Sequence, residues 1–480
     1  MHVPPRSRAS AETRARRSVV ARRWVLPAQE YLHAEAPGGL ILLAAGVIAL
    51  ALANSPVAAG FARFWELRWE VGVGRFALEG DLRELINDGL MTFFFFVAGL
   101  EIKCEVVEGQ LSSVPRAAFP VVAALGGMAA PALLYSAVNG LGAGAGSRGW
   151  GVPMATDIAF SIGVLGLLGR RVPGSARTFL LALAIADDIG AIVVIALFYS
   201  TGLHLGPILA AGGVWGAILL MNRLGVRSPV AQFAAALAFW ASVRGSGVHP
   251  TIAGVILGLS TPIRPWFQLR TAATSVHWLA SKLERAVVAD HPTRAEAILG
   301  QVEVLVRESE SPLERRLRIF HPWSSWLILP LFALANSGVA LSAESLGVAS
   351  RSAITWGIIA GLLLGKPLGI VGFGWLAARL GWAAAPPGLE PRHLVGVGIV
   401  AGIGFTVSLF VAALGFDDPH QVDQAKAGVL VASILAGAAG YAFLRLSGPS
   451  PAAADGPRAE HGPAAGDDLA AHPRQLDHRD

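Results

Sequence analysis

LALAIADDIGAIVVIALFY, residues 181 to 199, decides the fold. Two adjacent carboxylates, Asp187 and Asp188, stand near the middle of a run that is otherwise free of charge. The run is long enough to cross a hydrocarbon core of roughly 30 Å. At about 1.5 Å of rise per residue the pair falls near the midplane. Charge at that depth is costly, and the side chains that carry it face a cavity, a pathway or a partner. This one stretch therefore points to a helical membrane protein with an ionic site in its interior.

The rest of the chain agrees. Of 480 residues 54% are apolar, only 15% are charged and 56 are glycine. A soluble domain carries roughly 25% charged residues, and here even the smaller share crowds into termini and connections. The single cysteine, Cys104, excludes an intrachain disulfide framework and a thiolate metal cluster. No cofactor is implied, and the distribution of the net charge of +5 points to membrane orientation rather than to a nucleic acid.

Twelve stretches read as crossings: 37–55, 84–102, 116–138, 151–169, 177–200, 205–222, 229–244, 247–261, 323–341, 352–378, 393–415 and 425–445. The eighth is short. Seven arginines from Arg6 to Arg23 precede the first stretch, and alternate connections add Lys103, Arg116, Arg170, Arg171, Arg177, Arg223, Arg227, nine basic residues between 262 and 322, Arg379 and Arg392. The opposite set holds fewer, so both termini are expected in the cytoplasm and the basic tail 1–36 reads as topogenic. Residues 64–78 alternate apolar and charged before Gly72 and Gly74, which predicts a hairpin on the outer face, with a strand edge able to pair with another copy. The connection 262–322 has mixed charge and short amphipathic stretches such as 294–307, and the plain reading is a solvated linker. The tail 447–480 lacks an apolar period and is expected to be disordered.

Few ionisable residues lie inside the crossings. They are Asp157, Asp187, Asp188 and Lys366, with Asp88 and His249 nearer the ends. Neighbours on a helix point about 100° apart, so Asp187 and Asp188 cannot face one ligand identically. Two close carboxylates in a low dielectric resist double ionisation. Such a pair holds a proton or a hard cation, seldom both, which is the physical core of cation/proton exchange. The plain alternative is an inert ion pair with Lys366.

Asp157 follows Thr156 in a span with Pro153 and Gly163, and a matching glycine cluster, Gly396, Gly398, Gly402 and Gly404, interrupts the span 393–415. Each is the middle of three consecutive spans, 116–200 and 352–445, which enter from opposite sides. That is the pattern of an inverted repeat with broken helices at a midplane site. Glycine that merely permits close packing is the alternative. Broken helices leave partial charge at their ends, so Asp157 and Lys366 either neutralise those ends or, for Lys366, pair with Asp187 or Asp188 and release a proton as the cation arrives.

At this point the chain resembles the NhaA-type sodium/proton antiporters from about Leu40 to Phe443. The likeness is carried in order by INDGLMTFFFFVAGLEIK (86–103), MATDIAFSIGVL (154–165), LALAIADDIGAIVVIALFY (181–199), SGVHPTIAGVILG (246–258), HPWSSWLILPLFALANSGV (321–339), LGKPLGI (364–370) and GIGFTVSLF (402–410). The resemblance implies an all-α fold of twelve transmembrane helices with inverted repeats and two broken crossing helices. It implies that Asp187 and Asp188 bind sodium, lithium and protons, that Thr156 and Asp157 belong to the crossing, and that Lys366 is their buried partner. It also implies a pH response at His249, acids Glu101 and Glu105 at a cytoplasmic funnel, a bacterial inner membrane, electrogenic exchange, and a homodimer through the outer hairpin. A structural histidine before Pro250 and a merely wetted helix end at Glu101, Glu105 and Glu108 are the plain alternatives.

There are departures. The family's GLEVKRE reads GLEIKCE here, and Leu317 and Arg318 replace an acid and a histidine before His321. These bear on pH sensing and leave the transport core intact. Two rivals also place acids at the midplane. An intramembrane aspartyl protease would need acids flanking a peptide bond, and a cation channel needs no competing proton.

Overall fold

Most long apolar segments lack an amphipathic period, so they are buried all round or face lipid, and a helix satisfies its own backbone in either place. The computed structural model describes residues 35–447 apart from 74–75, 141–145, 201, 227 and 266–268. Most of the expected basic tail and all but one residue of the expected disordered tail lie outside the described residues.

The chain enters through α1 (Glu35–Ala53) and α2 (Ala58–Trp65), then a two-stranded antiparallel hairpin, β1 (Arg68–Val73) and β2 (Phe76–Asp81), paired from Arg68 with Asp81 to Val73 with Phe76. A helical turn and a π-helical segment, Leu85–Leu90, lead into α3 (Met91–Val107), followed by α4 (Val114–Val138). A 3-10 helix, Ser147–Met154, precedes α5 (Ile158–Leu167), then α6 (Gly174–Phe198), α7 (Leu205–Arg223), α8 (Pro229–Gly245) and α9 (Thr251–Leu259). The long connection is an antiparallel helix pair, α10 (Leu269–Val288) and α11 (Pro292–Ser309). Then come α12 (Pro312–Trp323), α13 (Leu329–Asn336), α14 (Ala343–Arg351), α15 (Ala353–Ala360), α16 (Lys366–Arg379), α17 (Pro391–Val400), α18 (Phe405–Gly415) and α19 (Pro419–Leu446).

By length and apolarity six described helical stretches can cross a membrane, or eight if two bent pairs each count once. Part of the shortfall from twelve is length: α8 and α9, with 17 and 9 residues, fall short of the roughly 20 that a crossing takes. Pro330 and Pro367 lack the amide hydrogen that a helix needs, and each follows a π-helical segment, Ser324–Ile328 and Gly361–Gly365, where the helical geometry changes within the span. Between the 3-10 helix and α5 the backbone is extended at Ala155 and Asp157, and α17 and α18 are bent by 48° about residues 401–404.

One large core joins α3, α4, α6, α13 and α15 to α19. Around Lys366 the backbones come close. A Cβ on Gly365 would stand 2.7 Å from Cα of Pro131, and one on Gly402 would stand 2.5 Å from the Leu362 carbonyl oxygen. Glycine is therefore needed for packing at both places, and at 401–404 the helix is broken as well. A satellite core, Ala211, Phe239, Val243 and Ala253, joins α7, α8 and α9, while α7 exposes Leu205, Leu209 and Leu220 on its other side. The pair α10 and α11 buries its own seam of Leu279, Ala286, Ile298 and Leu305. This is more ordered than the short amphipathic stretches expected there, because a heptad-like run continues through both helices.

Candidate functional site

Two interruptions lie against each other. The amide of Asp157 donates to the Ile403 carbonyl oxygen at 2.7 Å, the Ser161 hydroxyl to that of Val400 at 3.3 Å, and the Ser408 hydroxyl to that of Val152 at 2.8 Å. Interrupting a helix orphans backbone groups, and here each interruption satisfies groups of the other. Asp157 caps both helices that leave the two interruptions. Its Oδ1 accepts from the Phe160 amide at 3.0 Å, at the start of α5, and its Oδ2 accepts from the amide and hydroxyl of Thr406 at 3.0 and 2.5 Å, at the start of α18. The carboxylate thus stands between two partly positive helix N-termini.

Asp157→Ala removes both caps and leaves buried donors unmet, so a loss of about 2 to 4 kcal/mol is expected. Asn keeps one capping oxygen and should lose clearly less. Denaturant unfolding of the two purified variants checks the order, and equal losses would contradict the double cap.

Asp187 and Asp188 project from α6 beside these interruptions. Asp187 is 0% exposed and Asp188 6%. The Lys366 ammonium, 0% exposed, donates to Asp187 Oδ2 at 2.5 Å and to Thr156 Oγ1 at 2.7 Å. The single Thr156 hydroxyl proton lies within reach of Asp187 Oδ2 at 2.8 Å and of the Ala401 carbonyl oxygen at 3.0 Å. Thr156, in the extended stretch before α5, therefore ties α6, α16 and the second interruption together. Two groups are left over. Asp187 Oδ1 is buried with no hydrogen-bond partner among the described residues, and Asp188 makes no hydrogen bond to any of them. A buried, unsatisfied carboxylate oxygen is expensive, and next to a second carboxylate it is a ready ligand for a proton or a hard cation.

The other expected residues are elsewhere. His249 precedes α9, its Nδ1 lying 2.8 Å from Thr251 Oγ1, its Nε2 3.8 Å from Asp88 Oδ1, and its ring edge-on to Phe410. Glu101 lies 3.6 Å from His321. Glu105 accepts from the Gln110 amide at 2.6 Å and so holds the turn after α3. Cys104 is a free thiol, and Arg318 pairs with Glu310 at 2.7 Å. Sequence reasoning did not assign the hydroxyls of Ser161, Thr406 and Ser408. Their signal is small polar residues inside broken apolar spans, but their partners are about 250 positions away in the chain.

Fold and site together define the class: an all-α membrane protein whose interior holds buried charge where interrupted helices meet. The profile of the family described as Na+/H+ antiporter 1 matches residues 29–444. The chain is 47% identical to "Na(+)/H(+) antiporter NhaA 2" of Sorangium cellulosum over 88% of its length and 91% of that protein's. It is 46% identical to the protein of the same name from Myxococcus xanthus, covering 85% and 86% of the two chains, and 40% identical to "Na(+)/H(+) antiporter NhaA" of Cupriavidus necator, covering 94% and 96%. The chain belongs to the NhaA family of sodium/proton antiporters, which are transporters and not enzymes.

Proposed function

We propose that the chain exchanges cytoplasmic sodium, or lithium, for external protons by alternating access, electrogenically, in the inner membrane of a bacterium with both termini in the cytoplasm. The observation that carries this reading is the pairing of a bare Asp187 Oδ1 with an unbonded Asp188 inside an apolar helix. Twelve spans in inverted triplets, 116–200 and 352–445, would present this site to either side, with the interruptions 155–157 and 401–404 as the crossing.

Charge arithmetic then sets the roles. With Asp188 protonated and Asp187 paired to the Lys366 ammonium, the site is neutral. If only Asp188 gives up a proton as sodium binds, the site remains neutral and the exchange moves no net charge. If Lys366 gives up its proton too, two protons leave per sodium ion and the exchange becomes electrogenic. Electrogenic exchange then requires a second proton carrier, and Lys366, the cation bonded to Asp187, is the proposed one. His249, Glu101 and Glu105 are the proposed pH-responsive groups, and the hairpin 64–78 is the proposed dimer contact.

In everted vesicles acidified by respiration, added sodium or lithium should dequench a pH-sensitive dye. No response in vesicles that contain the protein would overturn the reading. A channel passes sodium without driving protons, so the same assay separates that rival.

A further inference from the structure

At the end of α8 lies a second group of charges that the exchange site does not use. Arg244 Nη2 lies 2.5 Å from Glu84 Oε1, and its Nη1 lies 3.6 Å from Asp88 Oδ2. The two acids are one helical turn apart at the head of the span that continues as α3, so a single guanidinium clamps two successive turns. Asp88 also faces His249, before α9. The contact is reinforced by Trp240, whose indole N–H donates to Thr92 Oγ1 at 3.1 Å and whose ring lies under Arg244. The ends of α8 and α9 are thereby tied to the head of α3.

The same group reaches the crossing. The His249 ring stands edge-on to Phe410, which also meets Phe95 of α3 and Phe332 of α13 with centroids 5.5 and 6.2 Å away. Phe95, Phe332 and Phe410 are all buried. Phe410 is one turn along α18 from Thr406, the residue that donates to Asp157. A buried aromatic cluster thus links His249, beside the Arg244 group, to the turn of α18 that holds Thr406. In the orientation given by the basic connections, Arg244 lies on the outer side.

We propose that Arg244 is the latch of an outer gate. Its pairs with Glu84 and Asp88 hold the end of α8 against the head of α3 while Asp187 and Asp188 face inward, and they part when the carboxylates face outward. Arg244 is a positioning residue that touches no substrate. The proposal rests on the alternating-access reading above, and the parent protein's exchange activity tests that reading separately.

The test uses the whole chain in right-side-out vesicles, with Cys104→Ser removing the native thiol and Met91→Cys as reporter. Met91 is fully buried one turn inward of Asp88. An impermeant maleimide added outside should label the reporter roughly three to ten times faster in Arg244→Ala, as expected for loss of an ion pair of this exposure. Arg244→Lys, which keeps the charge, should return the rate towards the parent's. Equal rates in Arg244→Ala and the parent, with parental exchange intact, would overturn the latch. If Arg244→Ala does not accumulate, Glu84→Gln, which keeps the guanidinium and removes the charge it clamps most closely, decides. The reporter should again be labelled faster than in the parent, and a rate equal to the parent's would refute the proposal.

Discussion

Asp188→Asn is expected to abolish sodium-driven proton movement while leaving the fold intact. Asn has the size of Asp and keeps one oxygen, and Asp188 makes no hydrogen bond among the described residues that the change would break. What is lost is one full charge beside the cation. Two unit charges about 4 Å apart interact by about 4 kcal/mol at an effective dielectric of about 20, which is about a thousandfold in affinity. Dye dequenching by everted vesicles should therefore fall to background at any practical sodium concentration. Asp187→Asn should also abolish exchange, but with a structural cost, because it leaves Lys366 buried opposite a neutral amide. Normal exchange in both variants would remove the pair from the mechanism.

The second large effect is on stability. Lys366→Ala should cost about 3 to 5 kcal/mol, because it strands a fully buried Asp187 without its counterion. Adding Asp187→Asn should recover much of that loss, since the stranded charge is then gone. The double-mutant cycle, read by denaturant unfolding in detergent, should give a coupling well above the few tenths of a kcal/mol typical of independent sites. A Lys366→Ala protein as stable as the parent would mean that the buried ion pair does not hold in the detergent-solubilised protein. Lys366→Arg divides the two roles of the lysine. An arginine never gives up its proton in a protein, so full electrogenic exchange by this variant would show that Lys366 only balances charge.

Much of this was legible in the sequence because it is local. Asp187 and Asp188 announce themselves as the acids inside one long apolar run, and Lys366 stands out in LGKPLGI for the same reason. The hairpin expected at 64–78 is a short-range pattern, but the structure shifts it along the chain: Phe64 and Trp65 end α2, and Arg68–Val73 pairs with Phe76–Asp81. What the sequence left open is tertiary. Asp157 could neutralise helix ends on sequence grounds, but that one carboxylate caps both α5 and α18 follows only from the meeting of residues 155–157 with 401–404. The sequence allowed Lys366 a helix end or an acid as partner, and the structure bonds it to Asp187 and Thr156. The π-helical segments before Pro330 and Pro367 leave no trace in hydropathy, which reads each of these spans as a uniform run. Glu84 and Arg244, at the ends of spans, look like ordinary interfacial charge in the sequence, and only their 2.5 Å contact sets them apart.

Competition between a proton and an alkali cation for the same buried oxygens is best tested on the purified protein. Sodium added to the protein in weakly buffered detergent solution should acidify the medium, and Asp188→Asn should acidify it little or not at all. Saturable sodium binding that released no protons would contradict the competition and, with it, the exchange reading.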